Sequence, residues 1–398
     1  MMASSSKRRL LWASFLFLDS DFHKTSRIEV LRHLSEQGYE VTLLGAYSET
    51  KPSSEKMGIP VLSVPVRKIP VISYVVLAIS LIVLLPLLVL ELRPDFIIAE
   101  PHFGAFLGLL STRAIPRSIR PKIVVDIRST PVETRGLRGW IEVLCFDIAI
   151  LVARDLLDGI TTITDMMRRE ICAKFHIDAQ SIGVWTSGVS TVLFAPEERT
   201  ARSKELRAEM GVDGKFVVMY HGVLTANRGV AETIAGLRLL EGKYRNIVFL
   251  VLGKGPALSS LMAAGQKEIN EGRVIFHGPV DYQEVPQYIS ACDIEIVPLP
   301  DIPDWRSQSP LNLLECLAMG KVAVATDVPC NREIAGNSPC VIYVASADSE
   351  EIAKAIMHAF DERDMLDKWG AYGRAMIRER YDWAEVARSL NLYLSSRL

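Results

Sequence analysis

The chain lacks the sequence features that mark several classes of protein. Its six cysteines form no C-x-x-C pair and no cluster with histidine, so a structural zinc site is not predicted. Lys and Arg number 45 against 47 Asp and Glu, and this near balance gives no basic excess of the kind that favours nucleic acid. We therefore predict neither a bound metal nor a nucleic-acid partner.

The length and composition of the chain predict two α/β domains of ordinary size. Its 398 residues are 49% hydrophobic, which suits two domains of roughly 150–200 residues each. Short apolar runs alternate with helical patterns, as in βαβ units with parallel sheets. The first half predicts strands at Leu11–Leu18, Tyr39–Leu44, Pro60–Val64, Pro94–Ala99, Lys122–Asp126 and Gly159–Ile163. The second half predicts strands at Phe216–Tyr220, Ile247–Leu252, Val274–Phe276, Ile294–Val297, Val322–Thr326 and Cys340–Val344.

The N-terminal apolar run resembles a signal peptide at first sight. Basic residues Lys7–Arg9 precede Leu10–Leu18, but Asp19–His23 offers no small-residue cleavage site. A run of this length also suits a buried parallel strand, and we favour that interpretation.

A second apolar segment, Ile69–Leu90, has 22 residues without a charge. At about 1.5 Å per residue it is long enough to cross a bilayer. Pro70 and Pro86 interrupt it, and a span would separate strands that belong to one predicted sheet. We favour a monotopic segment that contacts one leaflet over a helix packed on the sheet or a true span. The predicted location is therefore cytoplasmic, peripheral or monotopic on the inner membrane face.

The stretch from Thr112 to Trp140 is rich in arginine. Two interpretations stay open: a solvated loop face, or a surface for anionic lipid headgroups or a phosphorylated acceptor. Against Asp126 and Glu133, its basic residues are Arg113, Arg117, Arg120, Lys122, Arg128, Arg135 and Arg138.

The most informative segment is Arg306–Gly320, which predicts a short helix that is apolar nearly all round. We expect Ser309 to cap it, Pro310 to occupy its first position and Gly320 to end it. Glu315 is the only carboxylate in this helix, and burying it without a partner would be costly.

The same helix presents a site for phosphate at its start. The amides of Leu311, Asn312 and Leu313 lack partners within the helix and would favour an anion. A ligand with hydroxyls for Glu315 and phosphate for these amides satisfies both requirements, and a nucleotide is such a ligand.

A second candidate site follows a predicted strand in Tyr220–Gly229. The carboxyl end of a parallel sheet is where open α/β folds bind ligands. Arg228 there would pair with a diphosphate, although a solvated arginine is the simpler interpretation. The glycine turn Leu252–Pro256 is read as a tight turn, and His277 as a loop histidine.

In this order the segments resemble glycosyltransferase family 4, the retaining GT-B enzymes. The resemblance covers nearly the whole chain and rests on T-S-G-V-S-T-V-L-F-A-P (186–196), H-G-V-L-T-A-N-R-G (221–229), V-L-G-K-G-P (251–256), V-I-F-H-G-P-V (274–280), A-C-D-I-E-I-V-P (291–298), S-P-L-N-L-L-E-C-L-A-M-G-K-V-A-V-A-T-D (309–327) and Y-D-W (381–383).

This resemblance implies an α/β fold of two Rossmann-like domains that face a central cleft. It implies an acceptor domain over 1–198 with the apolar segment 69–90, a nucleotide-sugar domain over 199–380, and a C-terminal helix, 381–398, that crosses back to the first domain. It also implies no cofactor and no metal, because the nucleotide sugar is a substrate.

The resemblance further implies roles for individual residues in the second domain. Glu315 would hold the ribose, the amides of Leu311–Leu313 the phosphates, and Arg228 would act catalytically by stabilising the departing diphosphate. The full set implied for the sugar donor is Gly222, Arg228, Ser309, Leu311, Asn312, Leu313 and Glu315.

The chain departs from the family at several positions. Ser307 stands where the family often has the first glutamate of an E-x₇-E pair, and Asn312 replaces the lysine of S-P-x-K variants. Val223 stands where an arginine is common. In the first half, Asp126 and Arg128 lie where many members have a histidine. The resemblance therefore assigns no firm role to Ser307, Asp126 or Arg128.

The predicted function is transfer of a sugar from a nucleotide-diphosphate sugar to a hydroxyl acceptor with retention. The charge-free segment beside a basic stretch suggests an acceptor that is lipid-linked or a surface-glycan precursor. Two other functions are retained: a catalytically inactive GT-B subunit that binds a partner enzyme, and a GT-B isomerase or phosphorylase without a lipid acceptor.

Overall fold

The chain divides into two compact units, each built on one parallel sheet. A computed structural model describes residues 7–20, 24–69, 72–101, 103–131, 136–198 and 200–398. The first unit is Met1–Thr186 with Trp383–Leu398, and the second is Ser187–Asp382. The units thus divide at 186/187 rather than 198/199, because the Val189 amide donates to the carbonyl of Tyr381 at 2.8 Å and the Thr191 hydroxyl to Asp382 at 2.5 Å.

The first unit contains a seven-stranded sheet in the order β3-β2-β1-β4-β5-β6-β7. The apolar runs predicted as strands all lie in it, and the run after Lys7–Arg9 forms one of its inner strands. The unpredicted strand β7 is too short to show a periodicity. The strands are β1 (Arg8–Phe17), β2 (Tyr39–Tyr47), β3 (Val61–Pro65), β4 (Phe96–Ala99), β5 (Lys122–Ile127), β6 (Gly159–Thr162) and β7 (Ile182–Val184).

Helices connect these strands. The change of direction in strand order falls between β1 and β4, which are neighbours in the sheet although two strands separate them in the chain. The helices are α1 (Lys24–Glu36), α2 (Ser54–Met57), α3 (Ile72–Leu92), α4 (Phe103–Ser111), α5 (Gly136–Leu156) and α6 (Asp165–Phe175).

Helix α3 carries the charge-free segment and buries only a narrow stripe of it. Leu77, Leu81, Leu85 and Val89 are 0–1% exposed and pack in one cluster with β1 and β4. Its window Val75–Leu92 has a mean hydropathy of 2.9 and is 22% buried, so by length and composition it could cross a membrane. However, β3 before it and β4 after it lie in the same sheet, which a transmembrane span would divide. The interpretation as a true span is therefore wrong.

The second unit contains a six-stranded sheet in the order β10-β9-β8-β11-β12-β13, with its change of direction between β8 and β11. All six predicted strands are found, with ends that differ by at most a few residues. They are β8 (Phe216–Val223), β9 (Ile247–Lys254), β10 (Val274–His277), β11 (Ile294–Val297), β12 (Val322–Thr326) and β13 (Val341–Val344).

Ten helices of the described chain accompany this sheet. They cover both of its faces and bury two clusters of apolar side chains. The helices are α7 (Thr200–Glu209), α8 (Val230–Arg238), α9 (Leu258–Ala264), α10 (Gln266–Asn270), α11 (Val285–Ala291), α12 (Pro303–Arg306), α13 (Leu311–Ala318), α14 (Pro329–Ala335), α15 (Ser349–Asp361) and α16 (Leu366–Arg380).

The helix predicted within Arg306–Gly320 is α13, but its start differs from the prediction. Pro310 is the N-cap and makes no side-chain capping bond, so the expectation that Ser309 caps the helix is wrong. The end is as expected: Gly320 has φ +67°, and the amides of Gly320 and Lys321 donate to the carbonyls of Leu317 and Cys316. This pair of bonds is a Schellman motif, which requires the left-handed conformation that glycine adopts freely.

The last helix of the chain, α17 (Trp383–Ser395), belongs to the first unit. Trp383, Val386, Leu390 and Leu394 are buried in the cluster that also holds β1 and α1. The Tyr393 hydroxyl accepts from the Ile160 amide and donates to the Ser181 carbonyl, each at 2.9 Å. Helix α17 is thus fixed to the sheet by packing and by polar contacts.

Candidate functional site

In the second unit, the candidate residues gather where β8 and β11 end. This is the point at which the strand order reverses, and open α/β sheets bind ligands outside the carboxyl ends of the strands at such a point. His221 lies near the end of β8, and Glu315 lies on α13, which begins after the loop that follows β11. The His221 Nε2 atom is 2.6 Å from Glu315 Oε2. Two predicted segments therefore meet through a direct contact between side chains.

A second carboxylate contacts the same histidine. Glu295 lies within β11, is 0% exposed, and its Oε1 atom is 2.5 Å from His221 Nδ1. Burial by itself would lower the pKa of His221, but Glu295 and Glu315 outweigh it and raise that pKa to about 10. Burial raises the pKa of Glu295, and the charge of His221 opposes that rise. His221 is therefore an imidazolium between two acids at neutral pH.

Glu315 has protein partners for both of its oxygens. Besides His221, the Tyr282 hydroxyl donates to Oε1 at 2.8 Å. The argument that this carboxylate needs ligand hydroxyls to offset its burial is therefore wrong. Tyr282 is 38% exposed and packs against Phe194 with ring centroids 5.6 Å apart, so Glu315 is held from the solvent side as well. Its oxygens retain further acceptor capacity, because an ionised carboxylate offers about four lone-pair positions.

Arg228 is held in place by an aromatic ring. Its guanidinium carbon lies 4.5 Å from the centroid of the Trp305 ring, and the Trp305 indole donates to the carbonyl of Asn227 at 3.1 Å. Burial raises the pKa of the Tyr220 phenol, and the nearby Arg228 charge opposes that rise. Arg228 Nε is buried and has no hydrogen-bond partner within the described residues. A cation held in this way is available to an anionic ligand.

The start of α13 presents less free backbone than the sequence predicts. The Leu313 amide donates to the Oδ1 atom of Asn312 at 3.1 Å, so one of the three expected phosphate-binding amides already has a partner. Leu311 is 41% exposed and Asn312 is half-buried, whereas Leu313 is fully buried. Ser309 is half-buried just before the helix. The amides of Leu311 and Asn312 remain the candidates for phosphate.

Ser307, which replaces the family's first glutamate, is 1% exposed and ends α12. A side chain this short and this buried cannot take the place of a glutamate that reaches a sugar. Ser307 therefore lies between β11 and α13 and does not present its hydroxyl to the surface.

Glycines shape the other side of the same edge. Gly222 and Gly253 are opposite each other where β8 and β9 end, with φ +139° and +145°. A Cβ atom on Gly253 would lie 2.0 Å from the Gly222 carbonyl oxygen, and one on Gly255 would lie 2.1 Å from that of Leu224. These close approaches support the prediction of a tight turn in Leu252–Pro256. Gly222 is exposed and leaves the end of β8 open.

The first unit has its own polar cluster, around Asp126 on β5. Asp126 is 0% exposed, and its Oδ1 atom accepts from Thr161 Oγ1 and Trp185 Nε1, each at 2.7 Å. Its Oδ2 atom has no hydrogen-bond partner within the described residues. Burial raises the pKa of this carboxyl group, and the positive charges of Arg128 and Arg27 oppose the rise.

Arg128 lies beside Asp126 on an aromatic ring. Its guanidinium carbon is 3.7 Å from the Trp185 ring centroid, and Nη1 donates to the Trp185 carbonyl at 2.8 Å. Burial lowers its pKa to about 9, against the charge of Asp126. Next to this group, Arg27 Nε and Glu100 Oε1 form a largely buried ion pair at 3.1 Å. Charged groups therefore concentrate at the carboxyl edge of the first sheet, near the reversal between β1 and β4.

The arginine-rich stretch divides into structural and exposed residues. Arg113 and Lys122 pair with Asp158, and Arg120 donates to the carbonyls of Arg113 and Ile115. Arg117 is exposed. Arg135 lies outside the described residues, as does the side chain of Arg138. Several members of the stretch thus hold the fold, which the charge pattern alone does not reveal.

The sequence interpretation missed His221, Glu295, Tyr282 and Trp305. One signal was present: a glutamate at the second position of the apolar strand Ile294–Val297 is unusual and calls for a buried cationic partner. Tyr282 lies in a turn and Trp305 in the four-residue helix α12, and both segments are too short for residue spacing to carry a signal. His277, read as a loop histidine, ends β10 and contacts the Tyr288 hydroxyl at 3.1 Å. Among the described residues, no group of three or more His, Cys, Asp or Glu side chains could hold a metal ion.

Comparison with known families agrees with this architecture in both units. The family model for "Glycosyltransferase Family 4" matches residues 25–193, and that for "Glycosyl transferases group 1" matches residues 202–376. The HepE protein of Anabaena, solved in complex with UDP, has a TM-score of 0.75 at 16% identity and covers 98% of this chain and 100% of its own. At this level of identity the likeness shows the fold.

Two curated relatives match part of this chain. An alpha-D-kanosaminyltransferase of Streptomyces kanamyceticus is 24% identical over 233 residues, 58% of each chain. A GDP-mannose-dependent alpha-(1-6)-phosphatidylinositol monomannoside mannosyltransferase of Mycobacterium tuberculosis is 22% identical over 261 residues, 64% of this chain and 66% of its own. The chain spans about half the length of the first curated relatives it matches: 58%, 41% and 47%.

Two parallel-sheet units of this topology have the architecture of the GT-B fold class. Within that class, the chain belongs to glycosyltransferase family 4.

Proposed function

We propose that this enzyme transfers a sugar from a nucleotide-diphosphate sugar to a hydroxyl acceptor with retention of the anomeric configuration. One observation carries the proposal: the carboxylate of Glu315 and the guanidinium of Arg228 lie at the same edge of the second sheet, where β8 and β11 end. A nucleotide sugar has hydroxyls for the carboxylate and a diphosphate for the cation. The proposal agrees with a neighbour that binds UDP.

In the proposed reaction, the bond between the sugar C1 atom and the diphosphate oxygen breaks, a bond from C1 to the acceptor oxygen forms, and the proton of the acceptor hydroxyl passes to the departing diphosphate. Negative charge accumulates on the departing diphosphate. Arg228 and the amides of Leu311 and Asn312 are fixed before the reaction and would stabilise that charge. The hydroxyls of the ribose would donate to Glu315, whose position His221 and Tyr282 fix. Gly222 would allow the phosphates to approach the end of β8.

The acceptor in this proposal is lipid-linked, or a precursor of a surface glycan, and the enzyme binds peripherally to the cytoplasmic face of a membrane. The outer face of α3 supports this part of the proposal. Apart from its buried stripe, α3 exposes apolar side chains, and Arg67 and Lys68 are exposed just before it. The exposed large apolar residues of α3 are Ile72, Val75, Val76, Ile79, Val83, Leu87 and Leu90.

Helix α5 adds a second apolar stripe on the same side of the sheet. Its inner face, which includes Phe146 and Ile150, is buried, yet a row with helical spacing faces outward. Helix α4 packs against both α3 and α5, so the two exposed faces belong to one layer of helices. Trp140 is 61% exposed and suits the boundary between lipid and water. The outward row is Leu137, Trp140, Ile141, Leu144, Ile148 and Leu151.

We name this surface, the exposed apolar residues of α3 and α5, the apolar layer. Its occupant in the proposal is a bilayer that contains anionic lipid. The cations before α3 would meet headgroups while the apolar side chains enter the leaflet. The mannosyltransferase relative of Mycobacterium tuberculosis, whose name includes a phosphatidylinositol acceptor, supports the same choice.

The experiment that tests the function combines UDP- and GDP-sugars with polyprenyl-phosphate-linked and glycolipid acceptors, using the full chain. We expect release of nucleoside diphosphate that depends on both substrates, and an anomeric NMR signal of the product that matches the donor sugar. Inversion at C1 would contradict retention. Conversion of the donor without acceptor would indicate an isomerase or phosphorylase. Tight binding of UDP or GDP without turnover of any pair would indicate an inactive subunit.

A further inference from the structure

The glutamate on β11 occupies a position that the packing of the sheet does not require. The other residues of that strand are Ile294, Ile296 and Val297, and all four are buried. Replacing a buried ion pair by apolar side chains of similar size is often neutral or stabilising. Glu295 therefore calls for an explanation other than the stability of the strand.

The register of the sheet explains how Glu295 meets His221. Glu295 is paired with Met219 of the neighbouring parallel strand β8, and His221 is two residues further along the same strand. Side chains two residues apart point to the same face. Both side chains therefore lie on the face that α13 covers, where Glu315 completes the row Glu295–His221–Glu315.

We propose that Glu295 is a positioning residue for the nucleotide: it keeps His221 doubly protonated, and the imidazolium in turn fixes Glu315 and adds a positive charge to the site. This inference rests on the proposed function, because it assigns Glu315 to the bound nucleoside. It goes beyond it by giving a role to a residue that contacts no substrate.

The geometry of the imidazole carries the argument. Its Nδ1 atom is 2.5 Å from a Glu295 oxygen and its Nε2 atom 2.6 Å from a Glu315 oxygen. Only the imidazolium presents N–H groups on both nitrogens. The Nδ1 atom approaches Glu295 at ion-pair distance without the geometry of a hydrogen bond among the described residues, so the contact is attractive because the ring carries a positive charge. Glu295 thus stabilises the charged form that holds Glu315.

Groups on each neighbouring element act on this row. On Glu315, the Tyr282 hydroxyl approaches from the segment between β10 and α11. The Cys316 thiol of α13 lies beside Glu295 and opposes the rise of its pKa. Beyond the end of β8, Arg228 lies next to Tyr220. Of these groups, His221 alone has an ordinary pKa within the physiological range.

Loss of Glu295 should therefore create a pH dependence that the wild type lacks. With the two carboxylates present, the pKa of His221 is about 10, so the ring stays charged to well above pH 8. In Glu295→Gln the burial of the ring is opposed by one carboxylate only, and the imidazolium should deprotonate as the pH rises through the neutral range. The site then loses a positive charge, so its affinity for a diphosphate should fall with rising pH.

The test is calorimetric titration of the full chain with UDP between pH 6 and pH 9. We expect a nearly constant affinity for the wild type, and for Glu295→Gln an affinity about tenfold lower at high pH than at low pH. The double variant Glu295→Gln/His221→Asn should bind weakly and without that pH dependence. The control is Glu268→Gln, because Glu268 is also buried in this unit but pairs with Arg238, outside the site.

A second measurement needs no nucleotide and separates this inference from the proposed function. NMR titration of the histidine rings, with His221 assigned by His221→Asn, should show it protonated through pH 9 in the wild type and titrating lower in Glu295→Gln. A wild-type His221 that titrates near pH 6.5 overturns the inference, even if Glu295→Gln does not fold. The inference is also overturned if Glu295→Gln binds UDP with the same affinity as the wild type and without dependence on pH. If neither the wild type nor any variant binds UDP, UDP is not a ligand of this site. The NMR result still decides the role of Glu295.

Discussion

The guanidinium of Arg228 lies over the indole of Trp305, with its central carbon 4.5 Å from the ring centroid, and the indole N–H donates to the carbonyl of Asn227 at 3.1 Å. The ring is thus anchored to the residue that precedes the arginine it supports. This arrangement fixes a cation at the end of β8 without a carboxylate to neutralise it in the described contacts. A cation held in this way would pair favourably with a diphosphate.

Trp305→Ala should reduce kcat by about 2- to 30-fold, because a cation–π contact contributes about 0.5–2 kcal/mol to holding the guanidinium. Trp305→Phe keeps an aromatic face but loses the bond to Asn227, so its loss should be smaller. Steady-state release of nucleoside diphosphate measures both. Tyr343→Leu is the matched control: it removes the ring on which Arg332 stacks at 3.6 Å, on the edge strand β13. An equal loss in the control would argue against a specific role for Trp305.

Arg228→Ala should lower kcat by about 10²–10³, the usual cost of removing one fixed charge that stabilises a developing negative charge. Arg228→Lys should fall between this variant and the wild type, because it keeps the charge but not the planar pair of N–H donors. Arg238→Ala, on α8 and paired with Glu268, serves as the control with near wild-type rate. The catalytic assignment fails if Arg228→Ala retains more than a tenth of the activity.

Glu315→Gln should weaken binding of UDP, because a neutral amide is a poorer acceptor for ribose hydroxyls and no longer pairs with His221. Glu315→Ala should also destabilise the second unit by about 3–5 kcal/mol, since it leaves a buried imidazolium with one carboxylate instead of two. Calorimetry with UDP and thermal melts measure the two effects. Unchanged UDP affinity in a folded Glu315→Gln would refute the assignment.

Removing side chains from the apolar layer should abolish membrane binding. We propose two triple variants. The α3 variant carries Ile79→Gln, Val83→Gln and Leu87→Gln. The α5 variant carries Leu144→Gln, Ile148→Gln and Leu151→Gln. Each should lower sedimentation with vesicles of phosphatidylcholine and phosphatidylglycerol, and their combination should abolish it, because each buried methylene contributes about 0.8 kcal/mol. All six residues are exposed, so folding should be preserved.

The control for the apolar layer is a triple variant of exposed side chains in the second unit, Leu239→Gln, Met262→Gln and Tyr372→Gln. It should bind vesicles like the wild type. A wild-type protein that stays in the supernatant at low salt would refute membrane contact. If the wild type instead forms a dimer that the triple variants dissociate, the layer is an interface between two copies.

Asp126→Asn should give a first unit at least as stable as the wild type at neutral pH. Burial raises the pKa of Asp126, so its contribution to stability is fully present below the unfolded value of about 3.8 and falls as the pH rises through the folded value. Asparagine resembles the protonated acid and keeps an oxygen for Thr161 and Trp185. Thermal melts of both proteins from pH 4 to pH 8 should show a decline only for the wild type. A variant less stable at every pH would show that the carboxylate is ionised and needed by Arg128.

The sequence predicted the strands well because of how parallel sheets are built. Buried strands read as short apolar runs, and strands such as Ile294–Val297 and Val322–Thr326 have the predicted ends. The end of α13 was also predictable, because Gly320 adopts a positive φ that other residues avoid. Its start was not: Ser309 and Pro310 both suit the N-terminus of a helix, and the path of the loop before them decides which one caps it.

By itself, the sequence of this protein determined two α/β halves, the segments that carry the candidate site and the apolar character of α3. These properties depend on neighbours in the chain, which set the periodicity and the turns. Only the tertiary structure decided that Glu295, His221 and Glu315 form one row and that α5 exposes a second apolar stripe. Such contacts depend on strand order and register, which bring together side chains that are 94 residues apart, as His221 and Glu315 are.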